Sequence, residues 1–171
     1  MMDAAHWHLA LTHVPVVGAG FAVALLGVAL ATRDRLLRRI ALGAVVAVAL
    51  TAVPTYLTGE PAKDVVERLP GVSRQLVEVH EEAAATALVA IEIAGGLALL
   101  GLLATARAAQ VSRWIVTGLL LVTAASVGLM AWTANLGGQI RHPEIRASQA
   151  PAARTPQTAS AATTATSTGE H

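Results

Sequence analysis

Apolar residues dominate this chain in four long blocks, separated by short polar connections. Residues 14–32, 40–59 and 114–139 contain no charged side chain, and residues 83–106 contain only Glu92. At about 1.5 Å per residue each block is long enough to cross roughly 30 Å of hydrocarbon as a helix. The blocks are built mainly of Ala, Leu, Val and Gly and show no period-two alternation, which selects helices over the strands of a membrane barrel. Unpaired backbone groups are costly in lipid, so each block is expected to be one continuous helix, with Pro15 and Pro54 accommodated near the ends. The pattern predicts an all-α integral membrane four-helix bundle, with helices at about 8–32, 36–58, 75–106 and 111–137.

Between the second and third helices, residues 59–79 read as a loop. Within it, Pro61 suits a first helical turn, Val65, Val66 and Leu69 form a small apolar stripe, and Pro70-Gly71 ends the segment. A short interfacial helix fits. Residues 1–146 thus form one transmembrane domain. Residues 147–171 are an Ala/Thr/Ser/Pro mixture with too little apolar surface to offset ordering entropy, and they read as a disordered tail. No internal sequence repeat is visible.

Composition agrees with a membrane setting: 54% of the 171 residues are hydrophobic and 13% are charged. Residues 1–8 carry no basic cluster, and no short apolar core followed by a cleavage site is seen, so the first helix is expected to stay in the membrane. With no cysteine, a disulfide framework, an iron–sulfur cluster held by this chain and thiol catalysis are excluded. Positive charge sets the orientation. Arg33, Arg35, Arg38 and Arg39 crowd the first connection, and Arg107 and Arg113 flank the third. Lys63, Arg68, Arg74, Arg141, Arg146 and Arg154 lie on the opposite side, so the count is even. The density in the short connections decides for the cytoplasm there, which puts both termini and the long loop on the outer face.

That outer face gathers the chemistry. His6, His8, His13, His80 and His142 fall at similar depth, with Glu60, Glu78, Glu81, Glu82 and Glu144 among them; the sixth histidine, His171, ends the chain. Imidazole ligates haem iron, zinc or copper, and carboxylates suit harder ions or orient histidine, so these readings all stay open. The alternative is that boundary histidines only hydrogen-bond to water, headgroups or loop carbonyls. A b-type haem needs one imidazole from each of two helices, and His13 and His80 fit in principle, with small residues following each. Trp7, Trp114 and Trp132 read as interfacial anchors. Glu92 falls roughly 18 Å along its helix from His80. It is expected to face the bundle interior, protonated or paired with hydroxyls of the second or fourth helix. Gly95, Gly96 and Gly101 mark close helix packing.

Four segments carry a resemblance: His8-Leu9-Ala10-Leu11-Thr12-His13-Val14-Pro15, Tyr56-Leu57-Thr58-Gly59-Glu60-Pro61, His80-Glu81-Glu82-Ala83, and residues 137–146. They resemble the bacterial four-helix membrane family called domain of unknown function 2231, over roughly residues 6–146. Val14 stands where that family usually has an aromatic residue. Some relatives are fused to Rieske iron–sulfur domains, which this chain lacks. The resemblance implies a redox setting in a bacterial inner membrane, multi-pass with both termini outside.

Together these lines give a small membrane cytochrome-like protein as the leading expectation. His13 and His80 are its axial ligands, His8 or His142 the alternates, and Arg141 and Arg146 the propionate partners. Electrons would pass between a membrane donor such as a quinol and an outer acceptor such as a Rieske-type protein. A second expectation is a zinc or copper site of His13, His80, Glu81 and His142, and a third is a structural or assembly subunit, with homo-oligomers compatible with either. A substrate-converting enzyme is disfavoured, since no nucleophile motif occurs and Glu81 and Glu82 point to different helix faces. Nothing indicates nucleic acid as a partner.

Overall fold

The computed structural model describes residues 4–107, 111–142 and 144, with side chains described outside 105–107. Among these residues five helices run in order: α1 (Ala4–Thr32), α2 (Arg35–Leu57), α3 (Gly59–Val66), α4 (Arg74–Arg107) and α5 (Arg113–Arg141). The tail expected to be disordered, 147–171, lies outside the described residues.

The connections explain the boundaries. Between α1 and α2 the chain reverses in two residues, with Arg33 in the left-handed region at φ 58° and Asp34 capping α2 by accepting from the Leu37 amide at 2.7 Å. Across the bundle, Ser112 caps α5 by accepting from the Trp114 amide. The α2–α3 join is a turn at Thr58, placed just past Pro54, and α3 packs back against α1. Gly71, at φ 80°, makes the turn that leads into α4, a conformation that L side chains rarely adopt.

Four segments are long and apolar enough to cross a membrane: α1, α2 with its α3 continuation, α4 and α5. Each also exposes large apolar side chains along its length. Phe21, Leu50, Leu100 and Leu121 are all more than half exposed, which suits a hydrocarbon surrounding and not water. The inward stripe is made of small or slender residues, among them Ala19, Ala22, Leu26, Ala41, Val45, Ile91, Ala94 and Ala98. Small side chains let the backbones approach closely, the usual basis of helix association in lipid.

Neighbouring helices run α1–α2–α4–α5 and back to α1 around the bundle, so α1 and α4 stand on a diagonal. This order relates the two hairpins, α1–α2 and α4–α5. The buried positions of α1 recur 72 residues later on α4: Pro15 with Ala87, Ala19 with Ile91, Ala22 with Ala94 and Leu26 with Ala98. Those of α2 recur 78 residues later on α5: Arg38 with Val116, Val45 with Thr123, Val48 with Ser126 and Ala52 with Met130. The two cap residues, Asp34 and Ser112, are also 78 apart. Swapping the hairpins maps every neighbouring pair of long helices onto another, so the two hairpins correspond in packing and in most of their buried positions, as an approximate twofold along the bundle axis would relate them. The second hairpin carries six more residues between the paired positions, three in a longer end of α4 and three in the connection.

Candidate functional site

One end of this bundle holds the histidines, and the repeat organises them. His8, near the start of α1, is half-buried, with Nδ1 3.1 Å from the Thr55 carbonyl oxygen and 3.1 Å from the Thr58 hydroxyl of α2. His80, near the start of α4, is also half-buried, with Nδ1 3.0 Å from the Thr133 carbonyl oxygen of α5. A carbonyl oxygen can only accept, so in both rings Nδ1 carries the proton and donates. Neutral imidazole then keeps its lone pair on Nε2.

The sequence around each carbonyl explains why it is reachable. Thr55 is followed four residues on by Gly59, and Thr133 by Gly137. In a helix the residue four positions on covers the carbonyl, and a glycine there leaves it open from the side. A methyl group on Gly137 would lie 3.2 Å from His80 Cε1, and one on Gly59 3.5 Å from His8 Cε1. Both threonine hydroxyls turn back to their own helix, Thr55 donating to Thr51 O and Thr133 to Leu129 O, each at 2.9 Å. His8 with Thr55 and Gly59, and His80 with Thr133 and Gly137, are therefore two copies of one device. The rings sit on diagonal helices at the same end and lie within electrostatic range of each other.

The unequal glycine distances give a direct test. Gly137→Ala places its methyl tighter than ordinary contact and is expected to push His80 off Thr133. Gly59→Ala makes ordinary contact and is expected to leave His8 in place. Nitrogen-15 spectra of the imidazoles report this as a loss of the Nδ1–H form for His80 alone. An unchanged His80 signal would mean that the ring does not depend on the glycine.

The pair expected from sequence, His13 with His80, is not the pair that meets in this way. His13 is five residues from His8, about 140° further round the helix, and its exposed ring donates to its own Leu9 carbonyl at 2.8 Å. His142 pairs with Glu144 at 2.8 Å, both exposed. Glu81 accepts from Lys63 of α3 at 2.8 Å. The set His13, His80, Glu81 and His142 is thus spread over separate partners. Among the described residues no three His, Asp or Glu side chains converge as a metal cluster. Arg141 ends α5, exposed, and Arg146 lies outside the described residues.

Glu92 lies further along α4, on the helix that carries His80. It is half-buried, and its Oε1 is enclosed with no hydrogen-bond partner among the described residues. The buried hydroxyls of α5, Thr123 and Ser126, donate to Leu119 O at 2.7 Å and Val122 O at 2.9 Å on their own helix.

One signal in the sequence could have singled out the carbonyls that hold His8 and His80: a Thr-x-x-x-Gly stretch ends both the second and the last long helix. Compared with known protein families, characterised proteins and solved structures, the chain shows no significant match.

Proposed function

We propose that this protein is a small membrane redox protein that binds one b-type haem near the outer face, with His8 and His80 as the axial ligands, and passes electrons. The observation that carries this reading is the matched pair of imidazoles on diagonal helices, each with Nδ1–H anchored on a backbone carbonyl. Anchoring through the second nitrogen is how ligating histidines are held in one tautomer and orientation, with Nε2 presented to a metal. The glycines beside both rings let the imidazoles lie against those carbonyls.

The donor count favours haem over a bare ion. A zinc site draws three or four protein ligands, whereas the porphyrin supplies four equatorial nitrogens and leaves two axial positions for the protein. Two imidazoles with no third converging ligand among the described residues match the latter. When bound, haem supplies reversible one-electron chemistry. The chain's own tasks are to present two neutral nitrogens, to hold the rings against rotation and to shield the centre with the apolar stripe below it. The end that carries His8 and His80 is opposite the arginine-dense α1–α2 connection, so it faces outward, N-out and C-out, in a bacterial inner membrane. A quinol in the bilayer suits the donor, and a Rieske-type or similar protein the acceptor.

The test is an absorption spectrum of the detergent-purified protein, oxidised and then reduced, with iron, copper and zinc measured on the same sample. A Soret band with sharp reduced α and β bands and one iron per chain is expected. A colourless protein holding stoichiometric zinc or copper would replace haem with a bare-ion site. One holding no metal would leave a structural role.

A further inference from the structure

The internal repeat reaches past the histidines to the charges above them, and the role of those charges rests on the haem reading. Lys63 and Arg141 are 78 residues apart, so they are counterparts: each lies four residues, about one helical turn, beyond its glycine, Gly59 or Gly137. Each hairpin therefore sets one histidine and, above the Thr–Gly device that holds it, one cation. The surroundings of the two cations differ: Lys63 is part-buried with Glu60 and Glu67 nearby, and Arg141 is exposed. Lys63 Nζ is held at 2.8 Å by Glu81, the residue after His80, whereas the counterpart of Glu81 after His8 is Leu9.

A twofold arrangement of two axial ligands and two cations selects a ligand with matching symmetry. Haem has two faces and two propionates along one edge, and a twofold lying in its plane exchanges both pairs. A haem held by His8 and His80 from opposite faces would, with that symmetry, offer one propionate to each hairpin. We infer that Lys63 and Arg141 form a paired carboxylate-binding site, one cation for each propionate. Lys63 thereby takes the place that the sequence alone gives to Arg146. An ammonium has three donors, so Lys63 can keep Glu81 and accept a second carboxylate, and Glu81 acts as its positioning residue.

The experiment compares haem b with its dimethyl ester, which has the same ring and iron but no propionate charge, in the full-length protein in detergent. The readouts are the affinity ratio from titration and the midpoint potential. Wild type is expected to prefer the free acid. Lys63→Gln and Arg141→Gln should each reduce that preference about threefold to tenfold, a range set by partly exposed charge pairs, and the double variant should abolish it. The midpoint potential should fall in each, since a cation that favours the added electron is gone. Lys63→Arg should restore the preference, and Arg113→Gln, at the opposite end of the bundle, should leave both readouts unchanged. A double variant with normal bands and an undiminished preference overturns the cation pair and leaves the haem reading standing. A wild-type protein that takes up neither compound overturns both.

Discussion

Gly95→Ala is expected to lower the thermal stability of the detergent-solubilised protein by several degrees, more than any other single glycine-to-alanine change in the helices. Gly95 lies on α4 where that helix crosses α2, and a methyl group there would fall on the Ala49 Cβ, well inside contact distance. Both atoms are fixed to backbone, so neither can rotate aside and the helices must separate. Overpacking of that kind costs about 1–3 kcal/mol, and in a chain of this size each kcal/mol is worth about 2–4 °C. Gly101→Ala provides the contrast. Its methyl would meet Leu42 Cδ2 at 2.7 Å, but that is the far end of a side chain that can change rotamer. Gly20→Ala and Gly96→Ala meet nothing within 4 Å, and helix propensity favours alanine by up to about 1 kcal/mol, so they should be neutral or slightly stabilising. Ala49→Gly combined with Gly95→Ala should recover much of the loss. Melting curves of this series decide the matter: if Gly95→Ala melts with Gly96→Ala, α2 and α4 are not in backbone contact there.

The long helices were legible in the sequence because hydrocarbon imposes a length and forbids charge, and both constraints are read one residue at a time. The structured part of the 59–79 connection was legible from Pro61, the valine stripe and Pro70-Gly71, and α3 covers Gly59–Val66. The inward direction of each helix was not legible. In a soluble helix, polar residues mark the outside, but here the lipid-facing and core-facing positions are both Ala, Val, Leu and Gly. That ambiguity is why His13 ranked above His8. Depth follows from sequence position, but rotation about the helix axis needs a packed neighbour, and about 140° separates the two histidines on α1.

The same degeneracy hid the internal repeat. Leu26 and Ala98, or Val48 and Ser126, occupy equivalent buried positions without sharing identity, because only size and depth are constrained. Among the pairs that do share identity are His8 and His80, Thr55 and Thr133, and Gly59 and Gly137, beside apolar ones such as Ala22 and Ala94. The first three are the two rings, the two carbonyl bearers and the two residues that uncover the carbonyls. Glu92 shows the converse, since its counterpart on α1, 72 residues earlier, is Gly20, so its carboxyl belongs to one hairpin only.

If the two halves carry one site, His8→Ala and His80→Ala should behave alike. Each is expected to convert a six-coordinate low-spin spectrum to a five-coordinate one and to weaken haem retention more than about tenfold, because each removes one of two protein–iron bonds. His13→Ala should leave the bands and their intensity unchanged, since its ring is exposed and already satisfied by Leu9 O. His142→Ala should do the same, as its partner is Glu144. Thr58→Val removes the hydroxyl near His8 Nδ1 but leaves the Thr55 carbonyl, so a loss of no more than about threefold is expected, from the modest net value of one neutral hydrogen bond. Reduced-minus-oxidised spectra of the five variants, at equal protein concentration, measure all of this in one experiment. Loss of the bands in His13→Ala with their survival in His8→Ala would require α1 to be turned by about 140°, which would put Gly20 and Ala24, and not Ala19 and Ala22, toward the core. Loss in His80→Ala but not in His8→Ala would break the equivalence of the hairpins and with it the axial placement of the ligand, so the series tests the repeat as sharply as it tests the haem.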